Sequence, residues 1–307
     1  MPRTRTPVAL RPPVEVMQPV PVRAVPAEDA LPGGVQYTIK VDGIRAVAHI
    51  EEEHRVRLIS RRGNDLTDRF PQLPPALATL PIGTVLDGEI VAYTPSPGGG
   101  PGHLDFHALL RTDRARRAAG VQVHYVAWDA LAVPGRDVRG EPLRERWTML
   151  EILLAAALPP LALCMATTDR AVAMAWYRDL AALGVEGIVA KGLDAAYRPG
   201  TGTGAWQKTR HIHTTDAELL GVAGSARRPE ALFVALPDGR RATTSPRLTP
   251  AQARELAEHL AGRLRPAAGG AGSGAVWEVD GLPRLVEVVA GTGRHATVRY
   301  VRLRPAE

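Results

Sequence analysis

Lysine is scarce in this chain of 307 residues, which contains only Lys40, Lys191 and Lys208. The other basic residues, 38 minus 3 or 35, are all arginine. Arginine stays protonated in proteins, whereas a buried lysine can lose its proton and act as a nucleophile. The three lysines are therefore candidates for tasks that arginine cannot perform.

Cysteine is scarcer still, since Cys164 is the only one in the chain. A single cysteine excludes an internal disulfide and any zinc site built from several cysteines. The apolar neighbours Leu163 and Met165 predict that Cys164 is a buried structural thiol.

Long apolar runs are also absent. No stretch of about 18 apolar residues exists, so no transmembrane helix is expected. The N-terminal segment is rich in proline and lacks the apolar core of a signal peptide, which predicts a cytoplasmic protein. The net charge of +6 and the pI of about 9.9 suit a polyanionic partner, although the arginine bias also raises the pI.

The residue pattern divides the chain into three parts. Residues 1–35, rich in Pro and Val, predict an extended arm. Residues 36–212 predict an α+β domain of antiparallel sheets with flanking helices. Residues 213–307 predict a small OB-like β-barrel of five short strands with one inserted helix. The predicted strands are Tyr37–Ile50, His54–Ser60, Thr84–Tyr93, Val121–Asp129, Gly187–Lys191, Glu218–Val222, Leu232–Leu236, Ala275–Val279, Leu285–Val289 and Thr297–Leu303, and the predicted helices are Leu143–Leu158, Asp169–Leu183 and Thr249–Leu264.

Lys40 is the candidate nucleophile, in the string Lys-Val-Asp-Gly-Ile-Arg from Lys40 to Arg45. Free lysine has a pKa of about 10.4, and burial beside other cations lowers it toward the range where the amine attacks. Gly43 would let the backbone approach a ligand closely, and Arg45 would grip a phosphate or ribose. The competing interpretation is a salt bridge at a strand end with a turn glycine.

Acidic and basic residues recur in the other strings. Glu89 and Glu186 each adjoin a glycine at the rim of an apolar strand, where they are either Mg²⁺ ligands or surface carboxylates. Lys191 lies in an apolar run, so it is expected to need an anionic partner. Lys208 and Arg210 are two residues apart on a strand and suit a phosphate. Trp128 is a candidate to stack on a purine, although a tryptophan in an apolar strand is more often part of the core.

These strings resemble the motifs of the covalent nucleotidyltransferases, and most closely those of the bacterial ATP-dependent DNA ligases. The resemblance extends from about residue 10 to the end of the chain. A single lysine string would be weak support, whereas six strings in the family order are specific. They are Lys40–Arg45, Ser60–Asn64, Leu86–Glu89, Trp128–Asp129, Glu186–Lys191 and Trp206–Lys208.

The resemblance implies a nucleotidyltransferase domain followed by an OB-fold domain, without a large N-terminal domain that encircles DNA. It implies that ATP adenylates Lys40 with the help of Mg²⁺ (or Mn²⁺), and that a monomer seals 5′-phosphate/3′-hydroxyl nicks in double-stranded DNA, in repair. It assigns the metal to Glu89 and Glu186. It assigns contacts with the nucleotide to Thr38, Ile39, Arg45, Arg61, Glu89, Trp128, Lys191, Lys208 and Arg210.

The chain departs from the family pattern at four places. Thr38 stands where the family usually has the glutamate that reads the adenine amino group, and Arg210 stands where it usually has lysine. The segment from Thr201 to Gly204 lacks the usual Arg and Ser, and Ala306 replaces the Asp of the C-terminal motif that orients pyrophosphate. Slow self-adenylation is therefore expected.

Three alternatives compete with this interpretation. An RNA ligase or a capping guanylyltransferase shares the chemistry, and the threonine before the lysine string leaves room for it. A nick-binding repair module with weakened catalysis would explain the departures. An NAD-dependent ligase is disfavoured, because it carries a four-cysteine zinc site and this chain has one cysteine.

The threonine at position 38 yields a prediction about nucleotide choice. A carboxylate accepts from the adenine amino group and repels the guanine carbonyl, whereas a hydroxyl donates or accepts. A buried polar mismatch costs about 1–3 kcal/mol, or roughly 5- to 150-fold. We expect the ATP-over-GTP preference to be weaker in the wild type than in Thr38→Glu, measured as rates of lysyl-nucleotide formation. Equal ratios in the two proteins would show that Thr38 does not face the base.

Overall fold

The computed structural model describes residues 9–96, 98–200, 203–211, 214–267, 276–280, 284–290 and 298–304. By its internal contacts the chain divides into two compact units, Met1–His211 and Ile212–Glu307. The predicted boundaries after residues 35 and 212 remain predictions. The predictions for Thr201, Gly202 and Ala306 concern residues outside the described ranges.

The first unit is built mainly of strands. In chain order they are β1 Val20–Pro21, β2 Val35–Val41, β3 Ile44–Ile50, β4 Val56–Ser60, β5 Val85–Thr94, β6 His103–Leu104, β7 Gln122–Val133, β8 Arg136–Asp137, β9 Leu161–Leu163, β10 Ala166–Thr167, β11 Val185–Gly192 and β12 Trp206–Arg210. Its α-helices are α1 Leu73–Leu77, α2 Phe106–Leu109, α3 Asp113–Ala118, α4 Leu143–Leu154 and α5 Arg170–Asp179, and short 3₁₀ helices cover Glu52–His54, Thr67–Arg69 and Ala181–Leu183.

The strands of this unit form two sheets. The first sheet has the order β1-β12-β11-β2-β10, and the second has the order β4-β3-β5-β7-β8, with β6 on β5 and β9 on β7. Neighbouring strands are antiparallel except for the pairs β1–β12 and β7–β9. The sequence predicted one β-rich stretch over Tyr37–Ile50, whereas the chain leaves the first sheet after β2 and enters the second with β3.

The helix starts were predicted better than the helix ends. Asp169, the first residue of the predicted helix Asp169–Leu183, is the N-cap of α5, since its side chain accepts from the backbone N–H groups of Ala171 and Val172. Helix α4 ends at Leu154 and not at Leu158, and Pro159 disfavours the helical conformation at the residue before it.

The main core of the first unit lies between the second sheet and its helices. The strands contribute Leu58, Leu86, Ile90 and Tyr125, which are fully buried against Phe70, Leu73, Leu77 and Leu150 from the helices and turns. Asp129 of β7 and Arg146 of α4 form a buried bidentate ion pair with N–O distances of 2.8 and 2.9 Å, and both side chains are 0% exposed. The pair fastens α4 to the strand that carries Trp128.

The N-terminal arm is packed onto the first unit over its described residues. Leu10, Val16 and Met17 are buried in one cluster with Tyr197 and Trp206. Strand β1 pairs parallel with β12, in the register Val20 to Gln207 and Pro21 to Lys208. The arm therefore forms an edge of the first sheet.

The second unit is a sheet closed over its own core. Its strands are β13 Thr214–Ser225, β14 Arg228–Ala235, β15 Arg241–Thr243, β16 Leu264–Pro266, β17 Val276–Val279, β18 Arg284–Ala290 and β19 Val298–Leu303, with one helix in the described part, α6 Pro250–His259. Strand β13 pairs with β14, β17 and β18. The buried side chains include Val222, Leu232, Val234, Leu256 and Val286.

Two predictions for the second unit were wrong in detail. Five strands were predicted, whereas the described residues contain seven, because the short β15 and β16 carry little alternation. Helix α6 was predicted to reach Leu264, but it ends at His259 and the chain turns at Gly262 (φ of 73°) into β16. None of the helices in the described ranges is both long and apolar enough to span a membrane.

The buried ion pair yields a stability prediction. Asp129→Asn removes the charge and leaves Arg146 uncompensated in the core, which costs about 3–5 kcal/mol of unfolding free energy. Urea unfolding followed by circular dichroism measures the loss. The matched control is Asp137→Asn, which breaks the partly exposed pair with Arg139, and it should change stability by less than about 1 kcal/mol. Equal losses in the two variants would contradict the assigned role of the buried pair.

Candidate active site

A pocket opens where the first sheet meets the second. It is lined by nine of the predicted site residues, Thr38, Ile39, Lys40, Arg45, Arg61, Glu89, Trp128, Lys191 and Lys208. It is also lined by four residues that were not predicted as site residues, Pro19, Val41, Val189 and Trp206. Strands β2, β11 and β12 supply one wall, and β3, β5 and β7 supply the other.

Lys40 and Glu186 meet at an irregularity in the first sheet. Lys40 pairs with Gly187 and Val41 pairs with Val185, so Glu186 is an extra residue on β11. Such a bulge redirects the side chain of the extra residue. The Lys40 Nζ atom donates a hydrogen bond to Glu186 Oε2. The predicted nucleophile and one predicted metal ligand are therefore in direct contact.

Two glycines keep the strands close at this point. A Cβ atom on Gly43 would lie 2.3 Å from the Ile90 carbonyl oxygen, and one on Gly187 would lie 1.9 Å from that of Thr209. Both distances are shorter than any real contact, so neither position accepts a side chain. Gly43 was predicted to let the backbone approach a ligand. In the structure the group close to Gly43 is the backbone of β5.

Further cations surround the Lys40–Glu186 pair. The Arg210 Nε atom lies 3.6 Å from Glu186 Oε2, which places Arg210 beside the pocket although it does not line it. Burial lowers the pKa of Lys208, and the positive charges of Arg210, Lys40 and Arg61 lower it further. This mutual repulsion marks a site with surplus positive charge, which a bound anion would relieve.

Arg45 is held by an internal network. Its Nε and Nη2 atoms donate to the two carboxylate oxygens of Asp87 at 2.9 and 2.6 Å, and Tyr197 donates its hydroxyl to Asp87 at 2.8 Å. The guanidinium also lies over the Trp128 ring, 5.5 Å from its centroid. Arg45 was predicted to bind a phosphate or ribose. In the structure its Nε and Nη2 atoms are hydrogen-bonded to other side chains of the protein.

Lys191 is 1% exposed and lies under two indole rings. Its Nζ atom donates to the Trp128 carbonyl oxygen at 3.0 Å and lies 4.5 Å from the centroid of the Trp206 ring. The expected anionic partner is missing, because no carboxylate in the described part of the chain forms an ion pair with it. Asp129, which raises its pKa from a distance, is bound to Arg146. Burial lowers the pKa of Lys191 to about 8.

Glu89 projects from β5 beside Gly43, and its burial raises the pKa of its carboxyl to about 8. Among the described residues no group of three or more His, Cys, Asp or Glu side chains could hold a metal ion. Mg²⁺ in nucleotide sites commonly takes only one or two carboxylates and completes its shell with phosphate oxygens and water. Glu89 and Glu186 fit a shell of that kind.

Thr38 lies on β2 opposite Val189, and its hydroxyl donates to the Val189 carbonyl oxygen at 3.4 Å. Its lone pairs are then left to accept from a ligand in the pocket.

Cys164 is buried as predicted, and burial raises the pKa of its thiol to about 11. Arg61 is exposed at the rim, with Nη1 3.5 Å from Gln18 of the arm.

A family model described as the ATP-dependent DNA ligase domain matches residues 25–210, which is more than half of the chain. The chain belongs to this family. It is 34% identical over 213 residues to DNA ligase C2 of Mycolicibacterium smegmatis, covering 67% of this chain and 58% of the relative. It is 37% identical over 204 residues to a probable DNA ligase of Beutenbergia cavernae, covering 64% of this chain and 39% of the relative. The ligase-family chain thus spans about half the length of these curated relatives.

Solved structures support the fold. The ligase domain of LigD from M. tuberculosis aligns with a TM-score of 0.53 at 23% identity, over 94% of this chain and 95% of that one. A Lig E DNA ligase aligns with a TM-score of 0.54 at 16% identity, over 94% and 99%. The predicted fold class, α+β with a nucleotidyltransferase domain and an OB-fold domain, is confirmed.

Three residues of the ligase-family site were missed in the sequence. Asp87 lies in the string Leu86–Glu89, two residues from Glu89 and on the same face of β5. A buried acid at that position indicates a cation on the neighbouring strand, and Arg45 on β3 pairs with Glu89. Trp206 lies in the last string, but no role in the site was predicted for it. Tyr197 lies in a loop outside all the strings, and no local pattern marks it.

The buried lysine yields a pH prediction. Between about pH 8 and 10.5 the folded protein has released the proton of Lys191 while the unfolded chain keeps it, so stability rises with pH in this window. The slope reaches at most about 1.4 kcal/mol per pH unit. Lys191→Met should therefore be more stable than the wild type at pH 7, and this advantage should shrink toward pH 10.

Urea unfolding of the unliganded protein at pH 7, 8, 9 and 10 measures that difference. The control is Arg114→Met at an exposed position of α3, whose curve should stay parallel to that of the wild type. A Lys191→Met advantage that does not change with pH would contradict the shifted pKa.

Proposed function

We propose that this chain is an ATP-dependent DNA ligase that seals 5′-phosphate/3′-hydroxyl nicks in double-stranded DNA through a lysyl-AMP intermediate. The observation that carries the proposal is the position of Lys40 in a pocket with surplus positive charge, in contact with Glu186. A nucleophilic amine needs its electrophile held by groups that neutralise phosphate charge, and this pocket supplies them.

In the first step the neutral Lys40 amine attacks the α-phosphorus of ATP. The Nζ–P bond forms, the bond from that phosphorus to the β-phosphate oxygen breaks, and pyrophosphate leaves. The amine must first lose a proton, and the Glu186 carboxylate in contact with Nζ is placed to accept it. Lys208, Arg210 and Arg61 offset the phosphate charge.

The base and ribose fit the remaining walls. Ile39 and Val189 offer apolar surface beside the Thr38 hydroxyl, and Trp128 lies across the pocket. The side chain of Lys191 forms no ion pair with any described residue and suits the α-phosphate of AMP. When Mg²⁺ or Mn²⁺ is bound through Glu186 and Glu89, it supplies positive charge that stabilises the developing charge on the phosphate.

In the second step AMP passes from the Lys40 amine to the 5′-phosphate of a nick. In the third, the 3′-hydroxyl attacks that phosphate, joins the strands and releases AMP. The second unit carries exposed arginines, Arg240, Arg247 and Arg254 among them, which suit the phosphate backbone of a duplex. Action as a monomer in cytoplasmic DNA repair belongs to the same proposal.

Labelling of the protein with nucleotide tests the first step. Intact-mass spectrometry after incubation with ATP and Mg²⁺ should show a single AMP adduct, and peptide mapping should place it on Lys40. Both Lys40→Ala and Lys40→Arg should carry none, because arginine cannot deprotonate. Circular dichroism serves as the control that both variants are folded.

The outcomes separate the candidates. An adduct that persists in Lys40→Ala would overturn the assignment of the nucleophile. A GMP adduct in preference to AMP would favour a capping guanylyltransferase, and sealing of nicked RNA in preference to nicked DNA would favour an RNA ligase. Binding of nicked DNA with no adduct at all would favour a nick-binding module.

A further inference from the structure

The Tyr197 hydroxyl joins the N-terminal arm to the pocket. It accepts from the Met17 backbone N–H at 3.1 Å and from Arg45 Nη2 at 3.2 Å, and it donates to Asp87 Oδ2 at 2.8 Å. We infer that Tyr197 is a positioning residue, which couples docking of the arm to the orientation of Arg45 toward ATP. The inference rests on the proposed function, since it takes the pocket as the ATP site.

The hydroxyl has no spare capacity. A phenol offers one donor and two acceptor sites, and all three are used. Tyr197 is 3% exposed and Asp87 is 0% exposed, so water does not replace a lost partner. Removal of this one oxygen therefore leaves the Met17 amide without its acceptor and weakens the grip on Arg45.

The arm has a direct reason to matter in the pocket. Gln18 donates its backbone N–H to the Gly200 carbonyl at 2.8 Å, and Val22 donates to that of Lys208 at 3.0 Å. Pro19, between these two anchors, lines the pocket. The arm is thus a wall of the site, and the loop that carries Tyr197 and Gly200 holds it in place.

Arg45 depends on the same junction. Asp87 fixes two of its nitrogens, and the Tyr197 hydroxyl is a further partner of Nη2 on the side of the arm. The guanidinium lines the pocket and lies over Trp128. A guanidinium held by both groups presents its remaining donors to the pocket in one orientation.

The test is Tyr197→Phe, which removes the hydroxyl and keeps the ring. The ring retains its edge contact with Trp206, at 5.7 Å between centroids, and its stacking with the Arg146 guanidinium at 5.7 Å. We expect the KM for ATP in self-adenylation to rise about 5- to 30-fold while kcat changes by less than about threefold. Hydrogen exchange of the peptide spanning residues 9–22, measured by mass spectrometry, should accelerate in the same variant.

The matched control is Tyr125→Phe. Tyr125 is fully buried in the second sheet, and its single hydroxyl proton is shared between the carbonyl oxygens of Ala46 and Leu86, at 2.9 and 3.0 Å. Its removal should lower stability without a change in the KM for ATP or in exchange of the arm. Thermal melts of both variants show that each is folded.

The outcomes decide the inference. A KM that is unchanged in Tyr197→Phe, or that rises equally in both variants, overturns it. A raised KM without faster exchange in the arm overturns the coupling. If the wild-type protein forms no adduct with ATP, the proposed function has failed, and exchange of the arm in the unliganded variant still reports whether Tyr197 holds it.

Discussion

The contact between Lys40 and Glu186 depends on two backbone features: a bulge in β11 of the first sheet, and the passage of the chain from the first sheet to the second after β2. Lys40 is the penultimate residue of β2, and four residues later, at Ile44, the chain enters the second sheet. Only a residue without a Cβ atom fits at Gly43 and at Gly187, where the strands approach each other most closely. The side chain of Lys40, the proposed nucleophile, is therefore placed by backbone geometry, and Lys208 and Arg210 lie on β12, which is held by its pairing with β11.

Stability and function compete around this contact. Lys191 is buried beside two indole rings and donates to one backbone carbonyl, and a fold under selection for stability alone would place an apolar residue there. Lys208 is likewise crowded by cations. By contrast Asp129 and Arg146 satisfy each other fully one residue from Trp128. The positive charges of Lys191 and Lys208 have no ion-pair partner within 4 Å in the described part of the chain, whereas the buried charges of Asp129 and Arg146 are paired.

The sequence predicted which residues lie at the candidate site better than it predicted how the site is built. Lys40, Glu186 and Lys208, which the structure brings to one region, could be picked out because scarce lysines and glycine-flanked acids stand out in a chain that otherwise prefers arginine. Tyr197 and Pro19 could not, because their roles arise from contacts with residues more than 100 positions away, or from an edge pairing two residues long. The predicted ends of α4 and α6 were wrong for a local reason, because the apolar periodicity of the sequence continues past the last helical residue of each. The buried setting of Lys191 was predicted, but its indole partners come from other strands, Trp128 from β7 and Trp206 from β12, where Trp206 pairs with Lys191.

Strand β1 also has a consequence for association between molecules. Without it, β12 would be the edge of the first sheet, and its unpaired backbone groups would offer a template for a strand from another chain. The arm covers that edge with a segment that cannot itself be extended easily, because Pro19 and Pro21 have no N–H to donate. The proline-rich arm, predicted only as an extended segment, thus ends the first sheet at β1. We expect it to protect that edge from pairing with a strand of another molecule.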